Sequence, residues 1–153
     1  MCRISRHWFS GSNRGDLVLV EGRVLIPGNA EGRLLRLQAP ISLWGGIDPV
    51  SGAVIDPRHP DYGVSISGAV LALPGAVGSS SSSAVMLELL REGTAPAAIL
   101  MARADAILAI GIFVSVELGY SMCPVLEVEL SALDGTPQGT LLRVTSEGRV
   151  IRL

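Results

Sequence analysis

The chain has 153 residues, 48% of them hydrophobic and 17% charged, which is material for one packed domain rather than a disordered tail. Its net charge is −2, and all twelve basic residues are arginines scattered from Arg3 to Arg152, an arrangement that excludes a nucleic-acid groove or a polybasic membrane patch. No window approaches the roughly 20 apolar residues of a membrane span. Aromatic residues are only 4%, so Val, Leu, Ile and Ala must build the core, as they do in β-rich and α/β domains.

Residues 1–15 are polar and irregular, with no apolar stretch behind Arg3 and Arg6 that could act as a secretory signal. A loosely ordered extension is expected there, ahead of a single domain over 16–153. The two cysteines, Cys2 and Cys123, are too few and too ill-spaced for a disulfide framework or a metal cluster, and a reduced cytoplasmic chain is expected. Asp16 to Ile26 (DLVLVEGRVLI) alternates in part and predicts a strand, stopped by Pro27-Gly28; GRLLRLQA, from Gly32, predicts a second. Pro40 to Gly63 is rich in Gly, Pro and Asp and too long for a simple connector, so it is expected to be functional or to cover something.

Ser65 to Leu73 predicts a strand ended by Pro74-Gly75, and SSSSSAVMLELLREG predicts a helix with Gly93 as its C-terminal glycine. Ala97 to Met101 is short and wholly apolar, the pattern of a buried parallel strand. Residues 104–119 fit one helix interrupted at Gly111 or a helix followed by a strand. Pro124 to Leu130 predicts a strand, and Gly139–Val144 with Arg149–Leu153 predicts a hairpin around Ser146-Glu147-Gly148. The order points to a β-rich α/β domain with a parallel core and one or two helices.

The segment from Leu73 to Ala84 concentrates the chemistry. A strand ends, Gly75 and Gly78 turn the chain, and a helix opens on five serines, Ser79 to Ser83. The first N–H groups of a helix lack intrahelical partners and carry partial positive charge, so such an end can bind a carboxylate or stabilise an alkoxide. The competing interpretation is that one serine caps the helix and the rest are solvated. No histidine lies nearby in sequence; His7 and His59 could reach the serines only through the fold, and the flanks of a nucleophile elbow are missing, so a self-contained Ser-His-Asp hydrolase is not expected. In PISLWGGIDP and IDPRHP, Trp44 either plugs the core or belongs to a substrate- or subunit-facing loop, with Asp48, Asp56 and Arg58 as polar candidates. Cys123 is expected to be a small buried apolar residue.

Taken together, Gly28-Asn29-Ala30-Glu31-Gly32, PISLWGGIDPVSG, IDPRHPDYG, GAVLALPGAVGSSSSS and GTAPAAIL, in this order over roughly residues 20–125, closely resemble the swivel domain of aconitase X proteins. The resemblance implies an aconitase-like swivelling β/β/α domain. It also implies a small subunit active only with a large subunit, which carries the iron or iron–sulfur cluster through its own cysteines; no cofactor or metal is expected on this chain. In the family the serine directly after the glycine accepts the substrate proton, which here is Ser79. Gly78, Ser80, Ser81, Ser42, Trp44 and Gly45 are expected to face the substrate. Aconitase-like swivel domains carry an arginine where Ser81 stands, so that arginine's role cannot be transferred.

The resemblance implies a hydro-lyase acting on a small hydroxy acid. The WGG loop and the serine tract favour cis-3-hydroxy-L-proline, giving Δ1-pyrroline-2-carboxylate, over phosphomevalonate. A non-catalytic swivel-like binding module is the alternative of another class. A true subunit is expected to expose an apolar patch beside the serine helix.

Overall fold

The computed structural model describes residues 16–78 and 80–153. Expectations for residues 1–15, with Cys2 and His7, and for Ser79 lie outside the described residues. The apolar AILM run forms a strand that is buried at every residue and sits between parallel neighbours, as expected. Seven other strands join it in one eight-stranded sheet: β1 (Leu17–Glu21), β2 (Arg23–Ile26), β3 (Ala30–Arg36), β4 (Val70–Leu73), β5 (Ala98–Met101, the AILM strand itself), β6 (Val125–Glu127), β7 (Leu141–Val144) and β8 (Arg149–Arg152), in the order β1-β8-β7-β3-β4-β5-β6-β2. The strands β3 to β6 run parallel, and the remaining pairs are antiparallel. Midway, β3 changes partner: Ala30–Arg33 pair with β7, and Leu34–Arg36 pair with β4.

Alternation along the parallel strands feeds two cores. Val70, Ala72, Ala98, Leu100 and Leu126 face Leu142, Val144 and Val150 of the antiparallel half. Leu71, Leu73, Ile99, Met101 and Val125 face the helices α2 (Ser82–Glu92) and α3 (Ala106–Glu117) through Met86, Leu89, Leu108 and Ile112. Each such Val, Leu, Ile or Met side chain, fully buried, contributes about 1.5–3 kcal/mol. The layers are therefore sheet, sheet, helix, the β/β/α arrangement of a swivel domain.

Several sequence expectations need correction. Residues 16–26 are not one strand. The chain breaks at Gly22, where a Cβ would come within 2.5 Å of Val128 Cγ1, and whose N–H donates to the Gly148 carbonyl at 2.8 Å. It leaves β1 beside β8 and starts β2 beside β6, at the opposite edge of the sheet. Only Val70–Leu73 of the 65–73 segment is strand, because Gly68 (φ +68) and the hydrogen bond from Ser67 N–H to Ser65 Oγ turn the chain before it. Of 124–130 only Val125–Glu127 is strand, and a 3₁₀ turn follows at Leu130–Leu133.

The 104–119 ambiguity resolves into one uninterrupted helix. Asp105 caps it by accepting from the N–H groups of Ile107 (2.8 Å) and Leu108 (3.4 Å). Gly111 does not break it; a Cβ there would stand 2.3 Å from the carbonyl oxygen of Ser83, so this glycine lets α3 press onto the first turn of α2. Gly93 ends α2 in the left-handed conformation, as expected. The C-terminal hairpin of β7 and β8 also forms where expected.

Candidate active site

Strand β4 lies inside the parallel sheet, and its carboxyl end opens into Pro74–Ser81 before α2 begins. Ligands of α/β sheets bind at such strand ends, where a following helix directs its N–H end at them. The turn is stitched to the segment after β3. Ile41 N–H donates to the Gly75 carbonyl (3.2 Å), and Val77 N–H donates to the Ile41 carbonyl (3.1 Å). Gly78 is exposed and has φ +113, a conformation that favours glycine. A Cβ on it would lie 2.6 Å from Ser42 Oγ, so Ser42 and Gly78 are in contact.

Ser79 follows Gly78 by one peptide bond and lies outside the described residues. Ser80 is exposed, and its carbonyl accepts from Ser83 Oγ (2.8 Å). Ser81 stands at the N-cap position with helical backbone angles, and its side chain makes no capping bond to the helix.

The WGG loop is the short element α1 (Leu43–Gly46). Trp44 (φ −69, ψ 116) and Gly45 (φ 76, ψ −9) have the angles of a type II turn, which needs glycine at its second central position. Ser42 Oγ donates to the Trp44 carbonyl (3.0 Å). Trp44 is 63% exposed, so it does not plug the core; it stands between two clefts. One, of about 420 Å³, is apolar and lies between Trp44, Ile47, Ile55 and the α2 residues Ala84, Val85 and Glu88. The other, of about 460 Å³, is more polar and is lined by Ser42, Trp44, Gly46, Asp56 and Arg58.

The polar candidates of this loop divide by role. Asp48 folds its own loop: its carboxylate accepts from Ser51 Oγ (2.6 Å) and from the N–H groups of Val50 and Ser51 (both 3.2 Å). The Ser51 hydroxyl, then the Val50 amide, hold that carboxyl below its ordinary range. Asp56 and Arg58 pair with each other, Nε to Oδ1 at 3.1 Å, and the guanidinium likewise holds the Asp56 carboxyl low.

His59, which the sequence suggested could reach the serines only through the fold, is held elsewhere. It is buried beside buried Asp61. His59 Nδ1 accepts from Asp61 N–H (3.1 Å), which places the ring proton on Nε2, 3.1 Å from the Ala39 carbonyl it donates to. The Asp61 carboxylate accepts from the Gln38 N–H and from Gln38 Nε2, both at 2.7 Å. Nothing in the sequence marked this network, because His59 and Asp61 meet Gln38 and Ala39 only across a long loop.

The described residues of this chain do not fit an iron centre. Among the described residues no three His, Cys, Asp or Glu side chains converge on a possible metal position. Burial pushes the Cys123 thiol up to about 12, the opposite of what a thiolate ligand requires. Among the described residues, no helix is long and apolar enough to cross a membrane.

A β/β/α sandwich that presents a glycine–serine turn at the mouth of its parallel strands is a swivel-type domain. Residues 19–153 match the family model of the aconitase X swivel domain, and the chain belongs to that family. It is 48% identical over 100 residues to a cis-3-hydroxy-L-proline dehydratase of Pseudomonas aeruginosa, the match covering 65% of this chain and 17% of that one. It is 44% identical over 92 residues to a phosphomevalonate dehydratase small subunit of Methanothermobacter thermautotrophicus, covering 60% of this chain and 70% of that one. A crystal structure of Thermococcus kodakaraensis aconitase X in its holo-form superposes with a TM-score of 0.74 at 30% identity, over 87% of this chain and 95% of that one. The chain thus spans under a fifth of the dehydratase from Pseudomonas but most of the small-subunit relative.

Proposed function

We propose that this chain is the small, swivelling subunit of an aconitase X-type hydro-lyase that dehydrates cis-3-hydroxy-L-proline, with Ser79 as proton acceptor. The observation that carries this is the Gly78 turn, seated between the carboxyl end of β4, the WGG loop and the N-terminal end of α2, in a chain of this family. Ser79 takes the proton from the carbon bearing the carboxylate. The C–H electron pair becomes the new double bond, and the hydroxyl on the neighbouring carbon departs and is protonated to water. The enamine then tautomerises to Δ1-pyrroline-2-carboxylate.

A serine is a weak base near neutrality, so its alkoxide must be stabilised strongly. The amide end of α2 is the source this chain offers, with Gly78, Ser80 and Ser81 around it and Trp44 and Gly45 as the substrate-facing loop. The iron or iron–sulfur cluster belongs to the large partner subunit, and when bound it supplies Lewis acidity. The partner reading is supported by α3. This helix is apolar on all sides, and a helix of that kind buries its whole circumference. Here Ile110, Phe113, Val114 and Val116 remain exposed, on the helix that Gly111 presses against the start of α2.

The charge of the two clefts beside Trp44 supports the proline derivative over phosphomevalonate. Among the described residues lining the two clefts, Arg58 is the cation, and Asp56 already neutralises it. A phosphate dianion asks for more positive charge than that.

The test is co-expression with an aconitase X large subunit under anaerobic conditions, assaying both substrates with wild type and Ser79→Ala. Turnover of cis-3-hydroxy-L-proline that Ser79→Ala abolishes, with the complex intact, is the expected result. Turnover of phosphomevalonate alone moves the chain to the other branch. No turnover of either in an assembled complex favours the binding module.

A further inference from the structure

We propose that Ser42 is a positioning residue, a spacer that sets the conformation of the Gly78 turn immediately ahead of Ser79, rather than a substrate contact. Its catalytic consequence holds only if Ser79 is the proton acceptor proposed above.

Ser42 ends a rail of chain that is fixed at three successive points. Buried Asp61 accepts both Gln38 donors at 2.7 Å, and buried His59 donates to the Ala39 carbonyl at 3.1 Å. Ile41 then bonds to Gly75 and Val77 on both sides of its own peptide. Next in the chain, the Ser42 side chain fills the space where a side chain of residue 78 would begin, 2.6 Å from that ideal Cβ position. The serine turn therefore rests on the 38–42 rail as well as on α2.

The hydroxyl itself has little to give a substrate. Its proton is committed to the Trp44 carbonyl at 3.0 Å, a bond within the WGG segment that fixes the direction of the side chain. Each hydroxyl has one proton to donate. What Ser42 contributes is volume and a fixed direction. Losing either lets the turn relax toward the rail, and a displacement of about 1 Å of a reacting group can cost about a hundredfold in rate.

The experiment compares wild type, Ser42→Ala, Ser42→Gly, Gly78→Ala and Gly78→Ala/Ser42→Gly in the complex with the large subunit. Ser42→Ala is expected to lower kcat about tenfold while KM stays within about twofold, the split of a group that acts on geometry and not on binding. Gly78→Ala is expected to be nearly inactive, and adding Ser42→Gly to recover about fivefold, because the second change removes the atom that the new methyl strikes. A rise in KM at unchanged kcat would make Ser42 a substrate contact and overturn the proposal, as would no change in either constant.

Should Ser79→Ala turn out as active as wild type, the chemistry proposed for Ser79 fails separately. Backbone amide resonances of the full chain then judge Ser42 without any assay. Ser42→Ala is expected to move those of Val77, Gly78 and Ser80 and to leave the β7–β8 hairpin unmoved. Unmoved resonances at 77–80 would overturn the spacer role itself.

Discussion

At the scale of single residues, two buried groups make opposite uses of burial. Asp61 is buried because Gln38 satisfies it twice, so Asp61→Ala strands two donors. It is expected to cost about 2 kcal/mol in urea unfolding. Cys123 is buried with no charge partner, and desolvation raises its thiol from 9.0 to about 12. A raised folded value means that the thiol's contribution is intact below about pH 9 and is lost as pH rises toward 12. In a Cys2→Ser background, a thiol-reactive dye at pH 8 is expected to label the chain only in denaturant; labelling at native conditions would contradict the burial. The glycines and serines of the 73–84 segment were legible in the sequence because their chemistry is local: a turn, a helix start, a hydroxyl. The buried Cys123 was legible too, since its neighbours are apolar and nothing beside it offers a metal. His59 was not, because what buries it is folded in from residues twenty positions away.

At the scale of elements, the parallel centre of the sheet was visible in AILM, whose unbroken apolar run fits only a strand covered on both faces. The helix α2 was visible in its apolar pattern and in Gly93, whereas α3, apolar on nearly every side, has no periodicity that separates a helix from a helix followed by a strand. Strand ends were less visible, because Ser65 to Ala69 alternates like a strand while its side-chain-to-backbone bonds hold it in turns. Gly111 shows why a composition rule misleads: glycine in an apolar helix suggests a break, yet its purpose is contact with another element. Gly111→Ala is expected to cost about 1–3 kcal/mol by overpacking against Ser83. Gly135→Ala meets nothing within 4 Å and is expected to stay within about 0.5 kcal/mol of wild type. Thermal unfolding of the pair separates the two; equal losses would mean that α2 and α3 are not held by this contact.

At the scale of the whole molecule, the exposed face of α3 is where isolated chain and assembled enzyme should differ. Phe113, 55% exposed, contributes nothing to the two cores. Phe113→Glu is therefore expected to leave the melting temperature of the free chain nearly unchanged and to weaken capture by the large subunit at least about tenfold. Undiminished capture would place the large subunit elsewhere. The Gly22 break has a different consequence, in time rather than in space. The two edge strands of the sheet are neighbours in sequence, yet β1 must pair with β8, and Glu21 meets Arg149 across 128 positions. On the ribosome β1 is made before β8, and it waits for the 128 positions that separate Glu21 from Arg149 before its partner exists. Pairings this distant fold slowly, since loop closure must come before any contact rewards it. Until β8 is made, the first strand is an unpaired edge, and protection from premature association falls to whatever the nascent chain meets there.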